Sequence, residues 1–235
     1  MIKAVLFDID NTLLSFDGYV KQSMEEGFAH FGLKGYEPWM LDVFTRENNA
    51  LWLSLERGEI TFEDIKAGRW NRIFSVLGID FDGPTFETYF RAKLNESAIP
   101  VEGSLTMLRQ LRGKVILCAA SNGPYEQQMN RLKIGGMAEH FDYFFISEEM
   151  GASKPSAEFF SLCFDRINEG RPETIFPEEM LIVGDSLSSD MAGGINAGMK
   201  TCFFDPQGKG VPDGMKLDHV VRSLSEVETY VLSRY

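Results

Sequence analysis

Cysteine, histidine, positive charge and long apolar runs are all scarce in this 235-residue chain, and each scarcity weighs against a class of function. The three cysteines, Cys118, Cys163 and Cys202, are odd in number, widely spaced and free of any CxxC pair. That pattern speaks against a disulfide framework and for reduced, structural thiols. Cys118 and Cys202 lie in apolar runs that read as strands, so they are expected as buried small hydrophobes. His30, His140 and His219 show no HxH or HExxH spacing, which weighs against a histidine-based metal site. No apolar stretch approaches the roughly 20 residues that span a bilayer, and the N-terminus enters a strand rather than a signal peptide. A cytoplasmic protein with no membrane partner is the expectation. Finally, 23 Lys plus Arg against 35 Asp plus Glu leave a formal charge of −12. Polymeric nucleic acid is bound through clustered cations, so it is not an expected partner. Small anionic ligands remain allowed, because local charges outweigh net charge at contact distance.

What the chain does have is a hydrophobic content of 44%, enough for one good core plus a smaller module. Short continuous apolar runs occur at 3–7, 114–119, 142–146, 180–183 and 200–204, the pattern of strands buried on both faces. Helical periods lie between them: Leu105, Leu108 and Leu111; Met129 and Leu132 after Pro124; Phe159, Phe160, Cys163, Phe164 and Ile167 after Pro155. Strands alternating with helices predict an α/β fold, a Rossmann-like doubly wound parallel sheet. Pro124 and Pro155 each suit a first helical position, and Ser223 with Glu226 a capping box.

Residues 16–98 break the alternation. Apolar residues recur there at helical spacing: Val20, Met24, Phe28 and Phe31; Leu51, Trp52 and Leu55; Phe62, Ile65, Ile73 and Leu77; Phe86, Tyr89, Phe90 and Leu94. Gly32, Gly58 and Gly78 stand where helices should end, Thr61 with Asp64 at a helix start, and Pro84 at the opening of a fourth helix. The expectation is an inserted all-α helical cap over 16–98, splitting an α/β core formed by 1–15 and 99–235. Trp39, Trp52 and Trp70 are expected mostly in its core.

Polar residues gather just beyond the predicted strands. The first strand delivers FDIDNTLL, with Asp8 and Asp10 two residues apart and so able to face one site. Taken alone, Asp10, Asn11 and Thr12 read equally well as a turn and helix cap. An EF-hand fits worse, for the loop lacks its central Gly and closing Glu. Ser121, Asn122 and Gly123 follow the second strand, Lys154 precedes Pro155, and Gly184 and Asp185 end the fourth strand with Asp190 five residues on. Open α/β sheets place ligands at this edge. Gly193, Gly194 and Gly198 look like part of a dinucleotide loop but lack its strand–loop–helix context, so helix packing is expected of them.

In their order and spacing, Asp8-Ile-Asp10-Asn-Thr12, Ser121-Asn122-Gly, Lys154-Pro and Gly184-Asp185 with Asp190 resemble the four motifs of the haloacid dehalogenase superfamily. More narrowly, the stretch Asn48 to Trp52, RGEIT at 57–61, Arg69, ISEEMGASKP and GDSLSSDMAGGINAG are similar to bacterial pyrimidine 5′-nucleotidases that act in house-cleaning. The resemblance implies a phosphomonoester hydrolase with an aspartyl-phosphate intermediate. Asp8 would be the nucleophile, Asp10 the general acid and then base, and Mg²⁺ would be held by Asp8, the Asp10 carbonyl and Asp185. Ser121, Asn122 and Lys154 would bind phosphate, with Thr12 and Asp190 behind them and Asp190 orienting Lys154 or a water. Asn48, Trp52 and Arg69 would touch the leaving group, although Trp52 also reads as core and Arg69 as a salt bridge. The partner is expected to be a small phosphomonoester such as a nucleoside monophosphate, and the protein a monomer or homodimer. A sugar-phosphate phosphatase or phosphomutase would share the same core motifs. A haloalkanoate dehalogenase is opposed by the acid at position 10, and a non-catalytic phosphate-binding scaffold by the presence of all four groups.

Overall fold

The computed structural model describes residues 1–233. The chain divides into two compact units, Met1–Ser15 with Pro100–Tyr235, and Phe16–Ile99.

The first unit is built on six parallel strands: β1 (Ala4–Phe7), β2 (Ile116–Ser121), β3 (Tyr143–Ile146), β4 (Met180–Gly184), β5 (Lys200–Phe204) and β6 (His219–Val221). Their order is β3-β2-β1-β4-β5-β6, with a helix or turn in each connection. Residues 4–7 of β1 are fully buried, as expected where helices cover both faces of a parallel sheet. Ala4, Leu6, Cys118, Ala120 and Ile182 pack with Phe159, Phe160, Cys163 and Ile167 of the helix Ala157–Asn168. All three thiols are free and buried. β6 escaped the sequence reading because it is a three-residue strand at the end of the strand order with no apolar run.

The chain runs from β1 to one side of the sheet and later restarts on the other with β4. This is the reversal of strand order at which α/β sheets form a crevice. Pro124 is the N-cap of the helix Tyr125–Ile134, not its first residue. Pro155 follows a cis peptide bond and precedes the Ser156 N-cap of Ala157–Asn168. Gly193 and Gly194 serve close packing: an added Cβ would come within 2.4 Å of Phe160 or Ile182 respectively.

The second unit holds four helices, Phe16–His30, Trp39–Glu56, Phe62–Leu77 and Gly83–Asn95. Thr61 and Asp64 form a reciprocal capping box, and Gly78 closes the third helix at φ 64°, where a Cβ would be strained. Phe28, Phe44, Trp70, Phe74, Phe86 and Phe90 form the interior, with the Trp70 and Phe86 rings 4.3 Å apart. Trp39 is 45% exposed and is not core. In its helix the fully buried face is Met40, Val43 and Phe44 rather than Leu51, Trp52 and Leu55, which are half-buried. Among the described residues no helix is long and apolar enough to cross a membrane.

Candidate active site

Strand register assembles the site. Phe7 of β1 lies level with Ala119 of β2 and Val183 of β4, so the residues that follow emerge together: Asp8, then Ala120 and Ser121, then Gly184 and Asp185. Asp8 is itself tied down, its amide donating to the Val183 carbonyl at 2.9 Å.

Lys154 reaches into this convergence from the loop before Ala157–Asn168 and is 1% exposed. Its Nζ donates to Asp8 Oδ1 at 2.7 Å, Asp190 Oδ1 at 2.7 Å and the Ala120 carbonyl at 2.8 Å, so all three ammonium protons are used. Asn122 holds the lysine's backbone: Nδ2 donates to the Lys154 carbonyl at 2.8 Å, and Oδ1 accepts from the Lys154 amide at 2.9 Å. The Asn122 side chain, expected at the phosphate, thus spans the Lys154 backbone with both ends of its amide and positions that residue.

Asp190 sits on a wide π-type turn, Leu187–Met191, a local irregularity common at functional sites. Its Oδ2 accepts from the Ser186 amide at 3.2 Å, while its other oxygen holds Lys154. Gly184 makes this possible, for a Cβ there would fall 2.1 Å from Asp190 Oδ2.

Asp8, Asp185 and Asp190 offer carboxylate oxygens within 4.8 Å of one another, and a single ammonium stands among them. Burial, with Asp190 and Asp10 adding to it and Lys154 opposing, pushes Asp8 up to about 7. For Lys154, burial alone would lower the pKa, but Asp190 and Asp8 outweigh it and hold the ammonium charged. The cluster thus carries more negative than positive charge, and its donors are all oxygen. Both features fit a hard divalent cation such as Mg²⁺.

Asp10 is held separately. Its Oδ1 accepts from Arg131 Nη1 at 2.6 Å and its Oδ2 from Gln128 Nε2 at 2.6 Å. Gln128 and Arg131, both buried, were not singled out from the sequence. They stand three residues apart on Tyr125–Ile134, and the one signal that could have found them is their position just after Ser121-Asn122-Gly123. Ser121 is buried, as is Thr12, whose Oγ1 has no hydrogen-bond partner among the described residues.

The cap residues expected at the leaving group lie in the second unit. Arg69 and Asn48 are interior: Arg69 donates to Glu87 at 3.1 and 2.6 Å and to Asn48 Oδ1 at 3.2 Å, with its guanidinium 4.8 Å from the Phe90 ring centre. Arg69 is thus a buried salt bridge, the alternative its sequence context allowed. Trp52 is half-buried beside Phe62, ring centres 5.9 Å apart.

In the first unit, then, a buried carboxylate beside an ammonium is joined by a second carboxylate two residues on, held by other partners. Such a pair can divide nucleophilic and proton-transfer roles. A family model for haloacid dehalogenase-like hydrolases matches residues 2–198. Pyrimidine 5′-nucleotidase YjjG of Escherichia coli strain K12 is 30% identical over 224 residues, 95% of each chain. Pyrimidine 5′-nucleotidase PynA of Streptococcus pneumoniae is 31% identical over 205 residues, 87% of this chain and 84% of that relative. The crystal structure of the HAD-hydrolase YfnB from Bacillus subtilis, described as bound to magnesium, superposes with a TM-score of 0.87 at 27% identity, covering 98% of each chain.

Proposed function

This chain belongs to the haloacid dehalogenase-like hydrolases, and from that premise we propose that it is a Mg²⁺-dependent phosphomonoester hydrolase acting on pyrimidine nucleoside 5′-monophosphates. The observation that carries the chemistry is Lys154 bridging Asp8 and Asp190 at 2.7 Å each, with Asp10 held apart by its own partners.

A carboxylate approaching a phosphate dianion is repelled, by roughly 1 kcal/mol per charge pair at ~4 Å in bulk water and by more in a cleft. Lys154 offsets that repulsion from inside the protein, and Asp190 keeps its ammonium directed at Asp8. Asp8, Asp185 and the backbone carbonyl of Asp10 would hold Mg²⁺, which supplies further positive charge against the phosphoryl oxygens. Asp8 attacks phosphorus and forms an aspartyl phosphate as the leaving alkoxide departs. Asp10 gives the alkoxide its proton and then takes one from the water that hydrolyses the acyl phosphate. Ser121 donates a hydrogen bond to a phosphoryl oxygen. The nucleotide assignment rests on the similarity to YjjG and PynA, which for YjjG runs through 95% of the chain and so includes most of the helical unit.

The test is hydrolysis of UMP, dUMP, TMP, several sugar phosphates and p-nitrophenyl phosphate with Mg²⁺ and with chelator, for wild type and Asp8→Asn. Wild type should turn over with Mg²⁺ only and prefer the nucleotides, while Asp8→Asn stays folded and inactive. Turnover by a contamination-free Asp8→Asn enzyme would overturn the aspartyl-phosphate route. A sugar phosphate preferred by about tenfold in kcat/KM, about 1.4 kcal/mol of transition-state preference, would overturn the nucleotide assignment alone.

A further inference from the structure

Arg131 is a costly residue to bury. It is 1% exposed and, among the described residues, its Nε has no hydrogen-bond partner. An unsatisfied buried donor is a poor source of stability, and locally unfavourable choices tend to mark functional sites. What Arg131 does instead is set directions.

A guanidinium only donates. Arg131 Nη1 donates to Asp10 Oδ1 at 2.6 Å and to Gln128 Oε1 at 2.9 Å. The second bond decides which end of the Gln128 amide is oxygen, an assignment that geometry alone often leaves open. Nε2 must then be the end that donates to Asp10 Oδ2 at 2.6 Å and to Ser121 Oγ at 2.8 Å. Ser121 Oγ also accepts from the Gly123 amide at 3.1 Å. A hydroxyl has one proton and two acceptor positions. With both acceptor positions filled, the Ser121 proton is left to donate to something else. Gly123 is part of the arrangement, since a Cβ there would stand 2.6 Å from Gln128 Nε2.

We propose that Gln128 and Arg131 are positioning residues that lock Ser121 as a hydrogen-bond donor to the phosphoryl group and hold the Asp10 carboxylate in one orientation. This rests on the phosphatase reading above and extends it to two residues that touch neither phosphate nor metal. Every hydrogen-bond direction in the chain from Arg131 through Gln128 to Ser121 follows from the guanidinium's inability to accept.

The experiment compares wild type with Gln128→Glu, Gln128→Met, Arg131→Met and Arg131→Lys as full-length proteins. Three readouts are taken: kcat and KM on UMP and on p-nitrophenyl phosphate, inhibition by inorganic phosphate, and the thermal melt. Gln128→Glu keeps the shape but puts an acceptor where both neighbours need a donor. It should weaken phosphate inhibition by about tenfold or more and cut kcat on UMP by about 100-fold, with a smaller loss on the aryl ester, whose leaving group needs less help from Asp10. Arg131→Lys should recover much of what Arg131→Met loses. If Gln128→Glu does not fold, Gln128→Met, similar in volume and without donors, carries the same expectation. Folded variants with unchanged phosphate inhibition and equal losses on both esters would overturn the proposal while leaving the phosphatase reading intact. A wild type inactive on every ester would instead sink the reading on which it rests.

Discussion

Lys154 Nζ lies 2.7 Å from Asp190 Oδ1, with the two side chains 2% and 1% accessible to solvent. Neither charge could be buried there without the other. Replacing Lys154 with Met leaves Asp8 and Asp190 buried without their common counter-charge. Loss of one partner of a buried pair costs about 3–5 kcal/mol, and loss of the preorganised positive charge beside Asp8 should cost about 100- to 1,000-fold in kcat, as for other preorganised electrostatic groups. Urea denaturation and steady-state kinetics of Lys154→Met should show both losses at pH 7. A variant as stable and as active as wild type would remove Lys154 from the site.

Asp10→Asn should separate leaving groups. Loss of a general acid typically costs about 100- to 10,000-fold, and that loss is expected on UMP, whose alkoxide needs a proton, far more than on p-nitrophenyl phosphate. Equal losses, with hydrolysis of the intermediate shown not to limit either ester, would leave Asp10 a structural role only.

Gly184→Ala should damage the site without replacing a charged residue, because the new methyl would fall 2.1 Å from Asp190 Oδ2. Forcing a group into a packed interior costs about 1–3 kcal/mol, and a displaced Asp190 would carry Lys154 with it. The contrast is Gly68→Ala in the interior of Phe62–Leu77, where a Cβ meets nothing within 4 Å. There the change should stabilise by about 0.5–1 kcal/mol. Chemical denaturation of the two variants should move in opposite directions, and a shift of the same sign in both would contradict the packing argument.

Arg69→Met in the helical unit leaves Glu87 buried and unpaired, at a cost of about 3–5 kcal/mol, whereas Arg69→Met with Glu87→Leu replaces the pair by apolar packing and should recover most of it. The comparison is made by thermal denaturation. If Arg69→Met instead keeps wild-type stability and only raises KM for nucleotides, Arg69 is a substrate contact after all.

His140 is buried, and neither ring nitrogen has a hydrogen-bond partner among the described residues. Burial is the largest effect and lowers its pKa; Arg109 and Arg112 act the same way and Glu139 opposes them. In the unfolded chain the imidazole takes up a proton near pH 6.5, while in the folded protein it does so only at lower pH. Its contribution to stability is therefore complete above about pH 6.5 and is lost as pH falls towards the folded value. His140→Phe should flatten the decline in unfolding free energy between about pH 7 and pH 5, and an unchanged slope would show that His140 is not responsible.

Five of the six strands were legible because strands buried on both faces must be apolar along their whole length, and that leaves a continuous run such as AVLF in β1. β6 was not, for three residues ending the strand order need no such run. Helical spacing found Trp70 and Phe86 in the interior of the second unit, yet the same rule misplaced Trp39, which sits in the first turn of its helix and is exposed. Periodicity specifies a face, not whether that face is covered all the way to the helix end.

The amino-acid pattern alone settles which polar residues follow which strand, since hydrophobic runs and their interruptions are local properties of the chain. It could not say which of those residues meet. Asp8 and Lys154 are 146 positions apart and Asp10 and Arg131 121 apart. Their contacts exist because β1 is placed between β2 and β4 in a fixed register. For the same reason the burial of Gln128 and Arg131, and of Asn48 and Arg69 against Glu87, could not be read from the helices that carry them. Whether a charge on a helix faces water or another charge depends on what packs over it, and that is decided by chain far away in sequence.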